Sequence, residues 1–494
     1  MPDVPAGELP DEPSLEQLRK QAKDLRRADR IPLSSAQLAV ARHYGFASWT
    51  RLKRHVEVVT RYSRFPERMT ADGGPAEEFL RLACLAYADD QPERWDEARR
   101  LLHGNRGIVT GNVFVAAATA DTGELRRILA ADPGAARREG GPYRWEPLFY
   151  HAYARHDPGV SLDAALGTAR LLLDAGADPN AGYLWHGLPT PFTVLTGVFG
   201  EGELGPVRQP RHPHSIALGR LLLEAGADPN DGQALYNRMF EPGNDHLELL
   251  FEFGLGAGDG GPWRRRLGDA LAAPAEMLRG ELAWAITHGL ADRVRLLVSH
   301  GVDVAAPFDD GVTVTSMAAT TGHPELIDYL VGHGAPALNL PPEDAFVAAA
   351  LAVDRERMGR LLAGQPGLAG QLRSARPALV TWAAACGSPA AVEFLAELGF
   401  DVNARGRTDV PSDQPWQTAL HKAAEDGNLE LARALLRLGA DPNLRDQRFG
   451  STPLGWARYF ERPALIELLE PVTEPDTGAT DATASDTAAS DTAE

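Results

Sequence analysis

The sequence has few of the residues that define several common protein classes. Its two cysteines, Cys84 and Cys386, lie about three hundred positions apart inside apolar, alanine-rich segments. So small and scattered a set excludes a disulfide framework and a cysteine zinc site. We therefore expect both thiols to be buried as small apolar side chains.

Long apolar runs and catalytic motifs are also missing. No stretch approaches the roughly 18 apolar residues of a membrane-spanning helix, and the first fifteen residues are acidic and proline-rich, unlike a secretory signal. We expect a cytoplasmic protein without a membrane partner. No GxSxG motif, lysine-bearing phosphate loop or neighbouring cysteine–histidine pair occurs. We therefore expect no catalytic residues, no cofactor and no small-molecule ligand.

Charge of either sign is unevenly distributed. The net charge of −19 opposes nonspecific binding of nucleic acid by the whole chain. Residues 14–68 nevertheless hold thirteen lysines or arginines against five acids. Residues 1–13 carry −4, residues 473–494 carry −6, and the region between 68 and 473 carries −17. Because the two acidic ends contain few bulky apolar side chains, we expect residues 1–13 and 473–494 to be disordered.

The sequence contains repeated segments. The segments RLLLDAGADPN (170–180) and RLLLEAGADPN (220–230) differ at a single position, and LGADPN returns at 438–443. The leucines favour a helix, the glycine ends it at positive φ, and the proline prevents its continuation. Aspartate and asparagine then favour a turn. These acids are therefore predicted to be structural, and not catalytic.

The intervals between equivalent glycines measure the repeat. Gly301 and Gly334 are 33 residues apart, and Gly334 and Gly399 are 65 apart, close to two units of 33. Longer intervals elsewhere indicate insertions, which we place at 199–213, 256–262 and 405–415. The last of them lies between two units, so we expect it to lengthen a loop.

Residues 418–424 (TALHKAA), followed by EDGNLE and LARALLRLGADPN, resemble the ankyrin-repeat consensus over its full length. Thr452-Pro453-Leu454 opens another unit in the same style, and a period of about 33 residues is that of ankyrin repeats. The TPLH signature is eroded elsewhere, as in Thr315-Ser316-Met317. The resemblance extends over roughly residues 77–472. It implies an all-α fold, an ankyrin-repeat solenoid of helix-turn-helix units with short extended loops, which we assign to residues 71–472.

Residues 14–70 form a basic module with three predicted short helices. Ser14 with Gln17 is a capping-box pattern, and Ser48 is placed to cap the third helix. The basic residues of that helix are Arg51, Lys53 and Arg54. The module resembles a short helical extension found at the N-terminus of many bacterial ankyrin-repeat proteins. Two interpretations stay open: a small helical cap or partner-docking arm of the solenoid, and a nucleic-acid reader of helix-turn-helix type.

The resemblance implies a protein-binding scaffold or adaptor that uses the concave face of the array. Aromatic, acidic and arginine side chains at the predicted loop tips are the candidate anchors. They are Tyr183, Trp185, His186, Phe308, Asp309, Asp310, Arg405, Arg407, Arg445 and Arg448. The −17 charge of the middle region predicts basic patches on the protein partner. The alternative is a regulator whose basic module binds nucleic acid while the repeats bind a protein.

Histidines near the longest insertion are the remaining candidates for chemistry. His212 and His214 are spaced to present two imidazoles to a metal ion, and His151 and His156 precede them by one unit. A protein metal site needs three or four ligands and groups that orient them. No such set is visible in the sequence, so we expect no metal site.

Overall fold

The computed structural model describes residues 9–10, 12–69 and 73–474. Within them the chain divides into two compact units, and the division falls between Glu281 and Leu282 in the sequence. The repeat spacing did not predict this division. Of the two segments predicted to be disordered, residues 1–8, 11 and 475–494 lie outside the described residues. Leu9, by contrast, packs against the apolar core of the basic module.

The first unit contains the basic module and a series of short helices. The module's helices are α1 (Leu15–Asp29), α2 (Leu33–His43) and α3 (Trp49–Tyr62). The others are α4 (Pro75–Ala83), α5 (Pro92–Gly104), α6 (Val113–Ala118), α7 (Thr122–Ala131), α8 (Pro147–Tyr153), α9 (Leu162–Asp174), α10 (Val194–Phe199), α11 (Gly205–Arg208), α12 (Ser215–Glu224), α13 (Gly232–Arg238), α14 (Asp245–Glu252) and α15 (Gly261–Leu267). Helix α16 (Pro274–Thr287) crosses the boundary between the units.

The second unit continues the alternation of short helices. These are α17 (Ala291–Ser299), α18 (Val314–Thr320), α19 (Ile327–Gly332), α20 (Pro342–Leu351), α21 (Arg355–Gly364), α22 (Leu368–Ala375), α23 (Leu379–Ala385), α24 (Pro389–Glu397), α25 (Ala419–Asp426), α26 (Leu429–Arg437), α27 (Pro453–Tyr459) and α28 (Pro463–Leu469). Helices α23, α25 and α27 pack in one row, and α24, α26 and α28 pack in a second row behind them. Because each helix is short, its apolar face is buried mainly by the neighbouring pair.

The chain is mostly helical, but it is not the all-α fold that the sequence predicted. The described residues also contain five short strands: β1 (Ser63–Arg64), β2 (Gly182–Trp185), β3 (Pro191–Thr193), β4 (Arg405–Gly406) and β5 (Gln417–Thr418). Strands β2 and β3 form an antiparallel hairpin that β1 extends in parallel, and β4 pairs with β5. The β2–β3 hairpin contains Tyr183, Trp185, Phe192 and Thr193, residue types that fit a half-buried pleated surface.

The basic module packs against residues that lie far from it along the sequence. Its strand β1 pairs with β2, and Val59 of α3 is buried with Leu184 and Trp263. The module therefore docks on the β2–β3 hairpin and on α15 of the first unit. The physical reason is that the apolar face of α3 leads directly into an extended segment that completes an existing hairpin.

The repeated turns are closed as the sequence predicted. Gly176, Gly226 and Gly439 have φ values of +91°, +95° and +92°, the left-handed region that favours glycine. The aspartate side chain that follows accepts a hydrogen bond from the backbone N–H two residues later, as Asp178 does from Asn180 at 2.9 Å. The acids of these motifs are thereby committed to turn geometry.

Two asparagines of these turns, Asn180 and Asn403, also join one turn to the next. Asn403 Nδ2 donates to the Gly439 carbonyl at 3.3 Å, and Asn403 Oδ1 accepts from the Asp441 N–H at 2.8 Å. Asn180 makes the same pair of contacts with the following turn, both at 2.8 Å. We call this contact the asparagine link. It satisfies backbone groups that neither turn can pair by itself.

Substitution of a linking asparagine tests this arrangement. We expect Asn403→Ala to lower the free energy of unfolding by about 1–3 kcal/mol, because the Gly439 carbonyl and the Asp441 N–H lose their partner. Gln371→Ala, at an exposed position of α22, serves as the control and should change stability by less than about 0.5 kcal/mol. Urea unfolding followed by circular dichroism measures both variants. Equal stability of the two would contradict the link.

Candidate partner-binding surface

The predicted insertion at 405–415 lies between two units, at the position that the spacing indicated. It leaves α24, forms β4, and returns through β5 into α25. The next loop, residues 444–451, approaches it because the Gln447 N–H donates to the Trp416 carbonyl at 2.8 Å. Two loops that are distant in sequence therefore build one local surface.

Trp416 is the centre of this surface. The Arg407 guanidinium lies 4.1 Å and the Arg448 guanidinium 5.0 Å from its ring centroid. A cation within about 6 Å of an indole ring centroid is attracted by the charge distribution of the ring. Trp416 thus draws together two of the arginines that the sequence singled out. The sequence analysis missed Trp416 itself, although it directly follows the insertion.

The other two candidate arginines meet beside it. Arg405 Nη2 donates to the Arg445 carbonyl at 3.1 Å, and Arg445 Nη1 donates to the Gly450 carbonyl at 2.7 Å. Arg445, Arg448 and Phe449 are exposed, with 52% of Phe449 accessible. We define the arginine–aromatic surface as Arg405, Arg407, Trp416, Arg445, Arg448 and Phe449.

Asp446 holds residues 444–451, the second of these two loops, in a fixed shape. Its buried carboxylate accepts the backbone N–H groups of Arg448, Phe449 and Ser451 at 2.9, 2.6 and 2.9 Å, and the Trp456 indole N–H at 3.0 Å. A carboxylate that accepts several N–H groups fixes a loop more firmly than apolar contacts would. The exposed side chains of this loop are therefore presented on a defined backbone.

His421 connects the second loop to the base of the β4–β5 hairpin. The Thr418 N–H donates to Nδ1 at 3.2 Å, which leaves Nε2–H to donate to the Ser451 carbonyl at 3.0 Å. Burial lowers the pKa of His421 from 6.5 to about 4, against the opposing effect of the Ser451 hydrogen bond. The neutral ring is therefore the form that holds the two loops together at neutral pH.

Acids near the arginine–aromatic surface make internal contacts. Asp409 is paired with Arg407. Asp413 accepts the Ala378 N–H at 2.9 Å, and Asp446 is buried.

The three candidates of the first unit are not exposed loop tips. Tyr183 and Trp185 lie in β2 and are 1% and 9% exposed, so the expectation that they are accessible is wrong. Tyr183 packs against Phe192 and Trp145, with ring centroids 5.4 and 5.5 Å apart. Half-buried His186 has Nε2 2.9 Å from a Glu67 carboxylate oxygen. Tyr183, Leu184 and Trp185 are consecutive and all buried, so both faces of this strand are covered, which the loop prediction overlooked.

Phe308, Asp309 and Asp310 form a separate tight turn in the second unit. Phe308 is half-buried and both aspartates are exposed. The Phe308 N–H donates to the Val312 carbonyl at 2.8 Å, and Asp310 accepts the Val312 N–H at 2.9 Å. These contacts give the turn a structural role.

The candidate histidines make contacts unlike those of metal ligands. Both ring nitrogens of His151 face carbonyl oxygens, at 3.2 and 3.0 Å, and His212 Nδ1 accepts the His214 N–H at 3.1 Å. In the part of the chain that the structure describes, no group of three or more histidine, cysteine or acidic side chains is arranged to hold a metal ion. Nor does a helix in this part combine the length and apolar character needed to cross a bilayer.

The pH dependence of stability tests the role of His421. The unfolded chain takes up this proton near pH 6.5 and the folded chain only near pH 4, so lowering the pH through this window stabilises the unfolded state. We expect the parent chain to lose about 2 kcal/mol more than His421→Gln between pH 7.5 and pH 5. Urea unfolding at the two pH values measures the difference. The same loss in both proteins would show that folding does not lower the pKa of His421, so that its ring is protonated in the folded chain at pH 5.

Comparison with known proteins is consistent with the local geometry of this region. Residues 380–481 match the family model for ankyrin repeats, in three copies. A curated relative, the E3 ubiquitin-protein ligase Ufd4 of Drosophila melanogaster, is 42% identical over 80 residues, which is 16% of this chain and 3% of that protein. This chain thus spans only a small fraction of that relative. Residues 380–481 contain ankyrin repeats, and the arginine–aromatic surface lies within them.

Proposed function

We propose that this protein is a non-catalytic scaffold or adaptor that binds a protein partner through the arginine–aromatic surface. The observation that carries the proposal is the contact of Trp416 with two guanidinium groups, one of which, that of Arg448, also lies near the ring of exposed Phe449. Ankyrin repeats generally mediate protein–protein interaction. Tryptophan and arginine are the residues that most often dominate the energy of such interfaces.

The organisation of the two loops supports this assignment. Hydrogen bonds to Asp446 and His421 hold the second loop in place, and the Gln447 N–H joins it to Trp416 by donating to the Trp416 carbonyl. A surface that is already ordered loses little conformational entropy when it binds. Exposed aromatic and arginine side chains on such a base have the properties of a recognition site, whereas stability alone would not require them to face solvent.

We further propose that the helix pairs of residues 71–379 are divergent ankyrin units of a bacterial, cytoplasmic protein. The support is that the asparagine link occurs in both units of the structure, at Asn180 as well as Asn403. A shared contact between successive turns implies a shared repeat geometry. The eroded TPLH signatures then reflect changes within one type of unit.

The Asp231 carboxylate, which lines one small cavity of the first unit, of about 50 Å³, makes structural contacts. It accepts hydrogen bonds from the Thr193 and Thr196 hydroxyls and from the Ala234 N–H. Burial raises the pKa of Asp231 from its usual value, and these hydrogen bonds oppose that shift. The carboxylate therefore serves as a cap that stabilises two helices.

The alternative, nucleic-acid binding by the basic module, has weaker support. Arg51 lies 3.0 Å from Asp269, and Arg61 and Arg64 contact Glu139. Phosphate groups would have to compete with these carboxylates for the same guanidinium groups. We therefore retain the protein partner as the proposed function.

Loss of a partner on substitution of the surface is the direct test. We expect Trp416→Ala and Arg448→Ala each to reduce partner recovery at least about tenfold, the effect of losing one interface hot spot. The measurement is quantitative mass spectrometry after affinity capture with the tagged full chain from the organism that encodes it.

Arg360→Ala is the matched control, because this exposed arginine of α21 pairs with Glu356 on its own helix. Circular dichroism confirms that all variants fold. If Trp416→Ala and Arg360→Ala recover the same proteins in the same amounts, the arginine–aromatic surface is not the binding site.

A further inference from the structure

Helix α1 of the basic module carries a row of cations on one exposed face. Arg19, Lys23 and Arg26 lie in the helix, Arg30 ends it, and all four side chains are exposed. Residues separated by three or four positions are neighbours on one side of a helix. We call these four residues the cationic row. Because a helix advances 1.5 Å per residue, the row is about 16 Å long.

The cationic row is not neutralised by the rest of the module. Within the described part of the chain, its four side chains and that of Lys20 make no hydrogen bond or ion pair. Asp24 instead lies 3.4 Å from Arg27. The other acids of the helix, Glu16 and Asp29, lie outside the row by the same periodicity. Helix α2, which packs along α1, contains no acidic residue.

The apolar face of α1 is already covered. Leu18 and Ala22 are buried in the core of the module, and Leu15 and Leu25 pack against that core. The helix contains no aromatic residue. It therefore has no large apolar side chain to insert into a bilayer and no ring on which an unpaired base could stack. A ligand of this face has to be recognised by its charge.

A regular row of cations is complementary to a regular row of anions. Each strand of a nucleic-acid duplex carries one charge per about 3.4 Å of helix axis, so the row lies beside about five phosphates. The guanidinium groups of the row can form paired hydrogen bonds with phosphate oxygens. The carboxylates of a protein surface have no comparable regular spacing.

We propose that the cationic row binds the phosphate backbone of double-stranded nucleic acid without reading its base sequence. Amide side chains are typical readers of base edges, and α1 has two of them. Gln21 Nε2 donates to the Tyr44 hydroxyl at 3.1 Å, and Gln17 lies outside the row. This binding surface is separate from the arginine–aromatic surface, so the inference does not rest on the proposed function.

The choice of α1 over α3 follows from the pairing of the charges. Arg51 of α3 lies 3.0 Å from Asp269, and Lys53 lies 3.3 Å from Glu57. A phosphate group on α3 would have to displace these carboxylates, whereas none has to leave the cationic row. The acidic remainder of the chain acts weakly on the row, because charges farther away than a Debye length of about 8 Å are screened at physiological salt.

Lysine footprinting locates the duplex directly, because the chain contains only Lys20, Lys23, Lys53 and Lys422. Full-length protein is acetylated at a low dose of reagent with and without a DNA duplex of about 20 base pairs, which is longer than the row. Mass spectrometry reads each site. We expect Lys20 and Lys23 to react at least about threefold more slowly with the duplex, and Lys53 and Lys422 at unchanged rates. Protection of Lys53 alone, or of no lysine, overturns the proposal.

Neutralisation of the row tests the charge dependence. The variant Arg19→Gln, Lys23→Gln, Arg26→Gln should bind a fluorescent duplex at least about tenfold more weakly than the parent chain at low salt. Loss of three phosphate contacts should also flatten the plot of log affinity against log salt by about 2.7. Fluorescence anisotropy measures both quantities. Two duplexes of unrelated sequence should bind the parent chain with similar affinity, and a tenfold preference for one of them would contradict binding without base reading.

The matched control removes the same charge from α3. The variant Arg51→Gln, Lys53→Gln, Arg54→Gln should keep the affinity and the salt dependence of the parent chain. Glutamine is a good helix former, so circular dichroism should show folded proteins throughout. Equal losses in the two variants, or no binding by the parent chain, overturn the proposal. Sedimentation with phosphatidylserine vesicles that requires the row, without binding of the duplex, also overturns it and assigns the row to a lipid surface.

Discussion

The asparagine link is the contact on which the arrangement of the turns depends. Each unit alone leaves a glycine carbonyl and a following N–H without partners at its turn, and the asparagine of the preceding unit supplies both. The helices bury their apolar faces against neighbouring pairs, but such packing tolerates sliding. The paired hydrogen bonds of Asn180 and Asn403 fix the spacing of the turns that they join, and therefore the positions of the neighbouring loops.

This constraint explains why insertions are tolerated where they occur. Residues 405–416 leave and re-enter the repeat through β4 and β5, so Asn403 before the loop and Thr418 after it keep their positions. The inserted loop can then acquire new side chains without disturbing the helices. Trp416 and Arg407 belong to this connection, and the ring of Trp416 lies close to the guanidinium groups of Arg407 and of Arg448 in the next loop.

Much of the fold could be predicted from the sequence because its signals are local. Helix ends at Gly176, Gly226 and Gly439, and the caps at Ser14 and Ser48, follow from the preferences of single residues. The docking of the basic module could not be predicted, because pairing of β1 with β2 joins residues more than one hundred positions apart.

The candidate surface could be predicted only in part, because only some of its residues are marked by local sequence signals. The four arginines were found because they follow the turn motifs at an insertion or a loop. Asp446 was not, since nothing in the local sequence distinguishes a carboxylate that accepts four N–H groups from a solvated one. Tyr183 and Trp185 were placed on the surface because a loop was expected where the chain forms a buried strand.

The central claim is that a protein partner contacts the arginine–aromatic surface. Site-specific photocrosslinking tests it most directly, with a benzophenone-bearing phenylalanine in place of exposed Phe449 and, as a control, in place of exposed Val331 of α19. The account predicts a crosslinked protein partner from position 449 and none from position 331. Crosslinks of equal yield from both positions, or from 331 alone, would contradict it.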